Sequence, residues 1–554
     1  MNVLSLPRFF RALGVLFLGA LLSMSGLRVA AAQSAAGLDD AGMRSAKADA
    51  SPPAPLTLTL DRAVQMALGK SFELQRTRLD VRNADAQVRE AWGQVLPQID
   101  ASAGYTRNVL TANPFAGSDV TGLFGGGNAG DWVAFNERAR TDNDPATNPI
   151  AFQEFRERQQ EAREAAGITL GSGGNPFGVD NEFRSGISIS QTLFNGSAFA
   201  AISGAQQLKD VNQRAEDRQT QVLADNVRRA FYSALFAQAR VRVLAQRIDR
   251  TSQTLDEVAK QVRQGVVPKF QRLSAEVELS NLETEVVQAR NTASQAIDQL
   301  KLTMGLTTDR PLQLEGTLRK ADPTMFVNVS TVRAVEAAMN RRPDVEQARL
   351  AVELREVEKN TVRSEYLPRL SAVANLNYTG RVPDDRQLNL SNPNDPFAFS
   401  TRDRGFFSSD FWNPSVNVGV QLSWNLFNGF QTTARMEQRE VAIRRAEVDY
   451  QQAQQNVEVE VRQALRDLQT ARQRIFSQEE NVSRAETNYT FAARRVEEGV
   501  SSQLELREAS DQLDQSRLNY LQALRDYLIA QSAFETAVGL PITEPPSTLN
   551  LTSN

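Results

Sequence analysis

The sequence predicts a mixed α and β fold. Each chain gives four antiparallel strands to a transmembrane β-barrel and carries long antiparallel α-helical coiled-coil hairpins, in two copies of one plan. Three observations carry this reading: motifs that recur at constant spacing, two heptad runs of unusual length, and four short stretches of alternating polarity.

The recurrence comes first, because an overlooked repeat mis-assigns the whole fold. Leu193-Phe194-Asn195-Gly196 returns as Leu426-Phe427-Asn428-Gly429, Gly265 as Gly499, and Met304-Gly305-Leu306 as Val538-Gly539-Leu540, all 233 or 234 residues on. Val227-Arg228 returns as Val461-Arg462, each pair marking the opening of a helix. Upstream, Arg62-Ala63-Val64 answers Arg333-Ala334-Val335, and Leu96-Pro97 answers Leu367-Pro368, at a spacing of 271. Two constant spacings describe a duplication with one length difference, placed between the Leu-Pro and Leu-Phe-Asn-Gly marks. The first repeat takes residues 56–305, an inter-repeat segment 306–327, and the second repeat 328–540.

Each repeat holds one very long helical pattern. Val227, Phe231, Ala234, Val241, Leu244, Ile248, Leu255 and Val258 step mostly by three and four, as do Val457, Val461, Ala464, Leu468, Ile475, Val482, Ala485 and Tyr489. That spacing is a coiled-coil seam. Roughly 65 residues without proline form a rod of about 100 Å. Both rods end at a glycine, Gly265 and Gly499. Pro268 suits the start of one return helix, and Ser502 with Glu505 reads as a capping box for the other. Two antiparallel hairpins follow, with their tips at those glycines. Shorter helical stretches, Leu60 to Val95 and Thr331 to Tyr366, each stop at a Leu-Pro pair, where the residue before proline leaves α geometry.

Past Pro97 the period changes to two. Ile99, Ala101, Ala103 and Tyr105 form a first strand, Ile187, Ile189 and Leu193 a second, and Leu370, Ala372, Ala374, Leu376 and Tyr378 a third. In the fourth, Val416, Val418, Val420, Leu422 and Trp424 alternate with Asn417, Gly419, Gln421, Ser423 and Asn425. A soluble half-buried sheet gives the same alternation; the export signal, the pairing of strands in both repeats and the terminal Tyr and Trp favour a barrel. Four strands cannot close a barrel, which needs about eight. An open edge in lipid leaves backbone groups unsatisfied, so several chains must join, and a trimer supplies twelve strands. Long loops lie at roughly 107–182, including Gly125-Gly126-Gly127, and at 381–414, with a short surface helix expected from Gln153 to Ala166.

Residues 1–32 read as an export signal. Arg8 and Arg11 form its charged start, Ala12 to Leu22 its apolar core, and Ala30-Ala31-Ala32 the cleavage region, with cleavage near Ala32. Residues 33–55 form a flexible lead and 541–554 a polar tail. The chain has no Cys and no His, which removes thiol nucleophiles, disulfides, zinc sites and histidine acid–base chemistry together. A net charge of -4 on 554 residues argues for neither nucleic acid nor anionic lipid. Beyond the signal no run of about 18 apolar residues appears, so any spanning falls to a barrel. No nucleophile sits beside a base, and Gly171-Ser172-Gly173-Gly174 lacks the strand–turn–helix context of a phosphate cradle. No catalysis, cofactor or metal is expected.

From about 56 to 540 the chain resembles the TolC-type outer-membrane efflux proteins. The residues that carry this are Leu58-Thr59-Leu60 with Ala63 and Ala67, Asn340-Arg341-Arg342-Pro343-Asp344-Val345, Leu367-Pro368, both Leu-Phe-Asn-Gly segments and the two tip glycines. The resemblance implies a homotrimeric barrel-and-tunnel: a barrel in outer-membrane lipid and a helical tunnel in the periplasm. Its tips, near Gly265 and Gly499, would contact a periplasmic adaptor and through it an inner-membrane pump. It also implies a periplasmic gate of acidic residues just past the second tip. The matching positions are Glu505 and Glu508, with Gln271 and Arg272 at the corresponding first-hairpin constriction. Two readings of the glutamates stand side by side: a ring of carboxylates that attracts cations, or a helix-capping partner and a solvated charge. Arg507 lies between them and can offset or pair with such a ring. Arg342 and Asp344 read as structural, with Pro343 at a helix start and Asp344 at its positive end.

The resemblance thus implies a passive exit duct for small molecules, the outer component of a tripartite efflux system. An outer-membrane channel for type I polypeptide secretion is the alternative on the same fold. A coiled-coil stalk or adhesin explains the heptads but not strands inserted at matching points of two repeats.

Overall fold

The computed structural model describes residues 56–110, 129–143, 147–166, 179–307, 309, 311–318, 326, 329–384, 386–392 and 395–540. The expected export signal, the lead, the tail and the glycine runs at 125–127 and 171–174 lie outside the described residues. The first part of the chain runs β1 (Leu56–Leu58), α1 (Leu60–Lys70), α2 (Phe72–Gly93), β2 (Gln98–Arg107), α3 (Ala129–Thr141), α4 (Phe152–Ala165), β3 (Asn181–Phe194), α5 (Gly196–Arg263) and α6 (Lys269–Thr303). The second runs β4 (Leu312–Leu314), α7 (Thr331–Arg341), α8 (Pro343–Arg363), β5 (Arg369–Val382), β6 (Gln387–Asn392), β7 (Asp395–Asp403), β8 (Trp412–Ser423), α9 (Gln431–Glu497) and α10 (Gln503–Val538).

The long helices α5 and α9 have 68 and 67 residues, about 100 Å at 1.5 Å per residue. Each folds back on its return helix. Neither opens at its Val-Arg pair, and that expectation is corrected here. Asn195 caps α5 by accepting from the Ser197 N–H at 3.2 Å, so the helix is already formed about 30 residues before Val227. Val227 and Val461 are instead fully buried core positions. Around Val227 pack Ala63, Ala67, Leu74, Phe231, Ala234, Leu300 and Met304. Around Val461 pack Ala334, Ala338, Val345, Leu465, Leu468, Phe534 and Val538, position for position at the same two sequence spacings.

The shorter helical stretches are each split in two. Pro343 at the first position of α8 holds Arg342 in extended geometry (φ -74°, ψ 125°). Ser71 divides α1 from α2 in the same way (φ -58°, ψ 128°). Against each break lies the glycine that ends a return helix. A Cβ on Gly305 (φ 71°) would sit 2.4 Å from the Lys70 carbonyl oxygen, and one on Gly539 (φ 77°) 3.2 Å from the Arg342 nitrogen. Only glycine both adopts the left-handed turn and admits such an approach.

Buried Arg342 ties the second break to three elements. It holds Asp344 in a fork at 3.0 and 2.6 Å, reaches Glu460 on α9 at 2.7 Å and donates to the Ala537 carbonyl at 3.1 Å. Arg218 on α5 approaches the same two carboxylates at 3.4 and 3.6 Å. Burial pushes the Asp344 carboxyl up, but the bond from Arg342 and the charge of both arginines outweigh it and hold the group below the ordinary carboxylate range. Farther along α5, Arg228 meets Glu535 at 3.1 Å, while Asp225 accepts from Arg229 at 2.6 Å and from the Ser532 hydroxyl at 2.7 Å. Burial pushes the Glu535 carboxyl up. These groups form one polar seam between the two hairpins.

The four long strands make a single antiparallel sheet in the order β2-β3-β5-β8, leaving β2 and β8 as edges. Paired residues share a face, and the register sorts the faces cleanly. One carries Ile99 opposite Ile189, Ile187 opposite Leu376, and Leu376 opposite Val416. The other carries Ser102, Ser188, Asn375 and Asn417. No core lies behind the apolar face: Val416, Val418, Val420 and Leu422 are 63–68% exposed. Aromatic rings close that face at one end, where Trp412 stacks on Tyr378 at 5.1 Å and meets Phe183 at 5.5 Å, over the gap left by Gly380. At the other end Trp424 donates to the Tyr366 carbonyl at 3.0 Å, and Phe427 meets Phe430 at 5.4 Å.

The loops joining the strands are more ordered than expected. Helix α4 lies where a surface helix was expected, but α3 and the β6–β7 hairpin were not foreseen. Phe135, Phe155 and Phe397 meet within 5.3–5.7 Å and give this region a small core of its own.

Two stability outcomes follow. Gly499→Ala shares the left-handed φ of Gly305→Ala (72° against 71°) but meets no atom within 4 Å. The first should lower stability by about 1 kcal/mol and the second by at least about twice that, read as the fall in melting temperature of the purified protein. Arg342→Ala leaves Asp344 and Glu460 with only the longer contacts of Arg218 and should cost about 3 kcal/mol. Because the folded-state pKa of Asp344 is depressed, that contribution is complete above about pH 4 and fades as pH falls below it. Melting curves of wild type and variant between pH 3 and 7, values chosen to bracket the ordinary carboxylate range, should therefore converge at the acid end.

Candidate functional site: the hairpin tips

Both tips are built alike from their sequence. After α5, Gly265 (φ 76°) donates to the Val262 carbonyl at 3.1 Å and Val266 to that of Gln261 at 3.0 Å. After α9, Gly499 (φ 72°) donates to Val496 at 3.0 Å and Val500 to Arg495 at 2.9 Å. This paired bonding is the Schellman ending, which requires a left-handed residue where glycine stands. It turns each chain outward, so Val266 and Val500 are exposed, as are Phe270 and Leu504 on the first turn of each return helix. The two tips thus present exposed apolar side chains at the same two positions, Val with Phe at one and Val with Leu at the other.

Ser502 caps α10 by accepting from the Glu505 N–H at 3.3 Å. The Glu505 carboxylate does not complete a capping box. It pairs with Arg495 of α9 at 2.7 Å and bonds the Ser501 hydroxyl, bracing the turn around Gly499. Glu508, one turn on, is exposed and makes no ion pair or hydrogen bond among the described residues. Arg272 pairs along its own helix with Glu276 at 3.3 Å. Gln271 turns inward, and its side-chain oxygen is buried without a hydrogen-bond partner among the described residues. It lines a cavity of about 580 Å³ between the hairpins, together with Arg250, Tyr489 and Leu506. Arg507 does not join Glu505; it reaches Glu278 of the first hairpin at 3.4 Å.

That last contact belongs to a set the sequence did not reveal. Arg247 of α5 bonds Asp511 of α10 at 2.6 Å and lies 3.7 Å from Glu278. Arg250 pairs with Asp514, a carboxylate only 2% exposed. Three arginines and three carboxylates thus bind the second return helix to the first hairpin just behind the tips. The sequence signal was available only in part: the Asp511/Asp514 and Arg247/Arg250 spacings each put two like charges on one helical face. Nothing local says that the two faces meet. Among the described residues no group of carboxylates is disposed to hold a metal ion.

The comparisons with known proteins agree with this architecture. The family model described as outer membrane efflux protein matches residues 155–306 and 334–540. The outer membrane protein TolC of Salmonella enteritidis is 20% identical over 363 residues, covering 62% of this chain and 67% of that protein. The alkaline protease secretion protein AprF of Pseudomonas aeruginosa is 22% identical over 365 residues, covering 65% and 70%. Among solved structures, the CmeC outer membrane channel of Campylobacter jejuni matches with a TM-score of 0.62 at 15% identity, over 88% of each chain. The outer membrane protein VceC of Vibrio cholerae matches with a TM-score of 0.61 at 14% identity, over 87% of this chain and 96% of that one. At such identities the structural likeness speaks to fold alone. The family segments cover more than half of the residues, and the chain belongs to the outer membrane efflux protein family.

Proposed function

We propose that three copies of this internally duplicated chain close one duct, with a twelve-stranded barrel in the outer membrane and a tunnel of helices in the periplasm. The observation that carries this is the sheet: one exposed apolar face, one polar face, and two free edges. From Trp412 to Trp424 the edge strand rises about 40 Å, or about 30 Å when tilted as barrel strands are, which suits the hydrocarbon layer. The aromatic rings at both ends lie where such barrels carry their girdles. A single chain would leave the edge N–H and C=O groups of β2 and β8 unpaired in lipid; a trimer pairs them.

On this reading the duct passively conducts small molecules delivered by an inner-membrane pump through a periplasmic adaptor. The exposed pairs Val266 with Phe270 and Val500 with Leu504 are the contact points for the adaptor. Membership of a family described as outer membrane efflux protein supports this first reading. The likeness to AprF, named for alkaline protease secretion, supports the second reading, export of a polypeptide. The arginine–carboxylate set behind the tips holds the periplasmic end narrow, with Glu505 and Glu508 as candidates for a carboxylate gate and Gln271 and Arg272 flanking it from the first hairpin.

Light scattering of the detergent-solubilised protein should give the mass of three chains; the mass of one would remove the barrel. Single-channel recording in a planar bilayer should show small steps for wild type. Arg247→Ala with Arg250→Ala should enlarge them about tenfold or more, since Asp514 is left buried and uncompensated. Larger steps in Glu505→Ala with Glu508→Ala would add the carboxylates to the gate. Unchanged steps there would assign Glu505 to bracing the turn.

A further inference from the structure

The polar face of the sheet is almost free of charge. Across all four strands its side chains are Ser, Thr, Asn, Gln, Gly and one Val, apart from Asp100, Arg369 and a group at the end carrying Trp412. Asp100 and Arg369 are of opposite sign. The remaining group is a triplet. Glu182 faces Arg381 directly across the β3–β5 ladder, and Arg184 stands two residues along β3 on the same face. The Arg184 guanidinium grips one Glu182 oxygen at 2.8 and 3.1 Å, and Arg381 lies 3.9 Å from the same atom. The shared carboxylate is mostly covered (16% exposed), whereas Arg184 and Arg381 are 72% and 64% exposed. One negative charge is thus enclosed by two positive ones whose outer N–H groups are exposed.

Among the described residues the charges nearest the triplet balance, with Asp180 acting on Arg107 and Arg386 on Asp384. Arg107, on the apolar face, is held by Asp384 at 2.5 Å, and Arg404 lies 3.7 Å from Asp410. The Arg107–Asp384 fork, joined by Asn181 at 2.9 Å, also fixes the strand ends that carry the triplet. The triplet's net positive charge therefore faces the bore, in a stretch of sheet whose other polar-face side chains are uncharged.

We propose that Arg184, Glu182 and Arg381 make the outer mouth of the barrel an anion-attracting ring and set the charge preference of that section. This rests on the trimeric duct reading: three copies bring six guanidiniums against three carboxylates around one opening. A ring of this kind raises the local concentration of anions and repels cations within a Debye length of about 10 Å at 0.1 M salt. An anionic solute leaving the duct is drawn through the last section, and a cationic one meets its barrier there.

The test is sided block of the bilayer current by hexacyanoferrate, a small multivalent anion. Protein is added to one chamber, and its helical body stays on that side, so the barrel mouth faces the other. Added to the mouth side at 0.1 M salt, hexacyanoferrate should reduce the wild-type current. Arg184→Ala with Arg381→Ala should need about tenfold or more anion for the same block. Glu182→Gln, which removes the enclosed negative charge, should need less than wild type. The idea fails if all three proteins conduct and are blocked alike, or if block is equally strong from the tunnel side. Absence of current in all three would remove the duct and this ring with it.

Discussion

A sheet edge cannot be left open in hydrocarbon. No water is present there to take the place of a missing strand, and each orphaned amide or carbonyl costs several kcal/mol. The four strands described here are apolar on the outward face and unpaired along β2 and β8. Everything else in the proposed assembly depends on that one constraint. Copies must meet edge to edge, and their helical hairpins are then brought side by side below the membrane. The polar face becomes the wall of a bore without any further specification. The exposed valines of β8, which would be a liability in a monomer in water, are what the lipid requires.

Within the chain, stability is concentrated away from both functional ends. The two apolar cores around Val227 and Val461 and the polar seam between them lie midway, where five or more helices converge. Two carboxylates of the seam respond to acid in opposite senses. The depressed Asp344 contributes stability that disappears as pH falls, whereas the raised Glu535 contributes stability that disappears as pH rises through its shifted value. The first change falls below about pH 4 and the second above it, so the two do not cancel and the seam is most stable between them. Behind the tips, by contrast, the hairpins are joined by a few ion pairs over a cavity rather than by a core. Rigidity at the centre and a charge-held end is the distribution expected of a body whose one end opens while the rest stays put.

Much of the fold was legible in the sequence because it is periodic. The alternation from Val416 to Leu422 became β8, and the heptads ending at Gly265 and Gly499 became the long helices. The start of those helices was not legible: Val227 and Val461 recur because they are core residues, and nothing in a recurring pair distinguishes a core from a boundary. Helix α4 was anticipated, but α3, the β6–β7 hairpin and the core they share with α4 were missed, because that core joins Phe135 and Phe155 to Phe397, far along the chain, with no repeat to announce the contact. The site was legible as positions and not as contacts. Glu505 was found by its place after a tip glycine, but its partner Arg495 lies back across the turn. Arg247 and Asp511 are 264 residues apart, and their pairing exists only once the hairpins lie together.

The glycines that end the return helices carry one more consequence. Gly305 rests on Lys70, and Gly539 on Arg341 and Arg342, so each half of the chain is a loop whose last turn touches its first break. A chain emerging from its amino end can close the first loop before any of the second exists, and the second then closes on its own glycine. The β3–β5 ladder, the packing of α8 and α10 on α5, the polar seam and the arginine–carboxylate set behind the tips must wait for both. Assembly can therefore proceed as two successive ring closures followed by one joining step, with β4 completing the first core by pairing with β1.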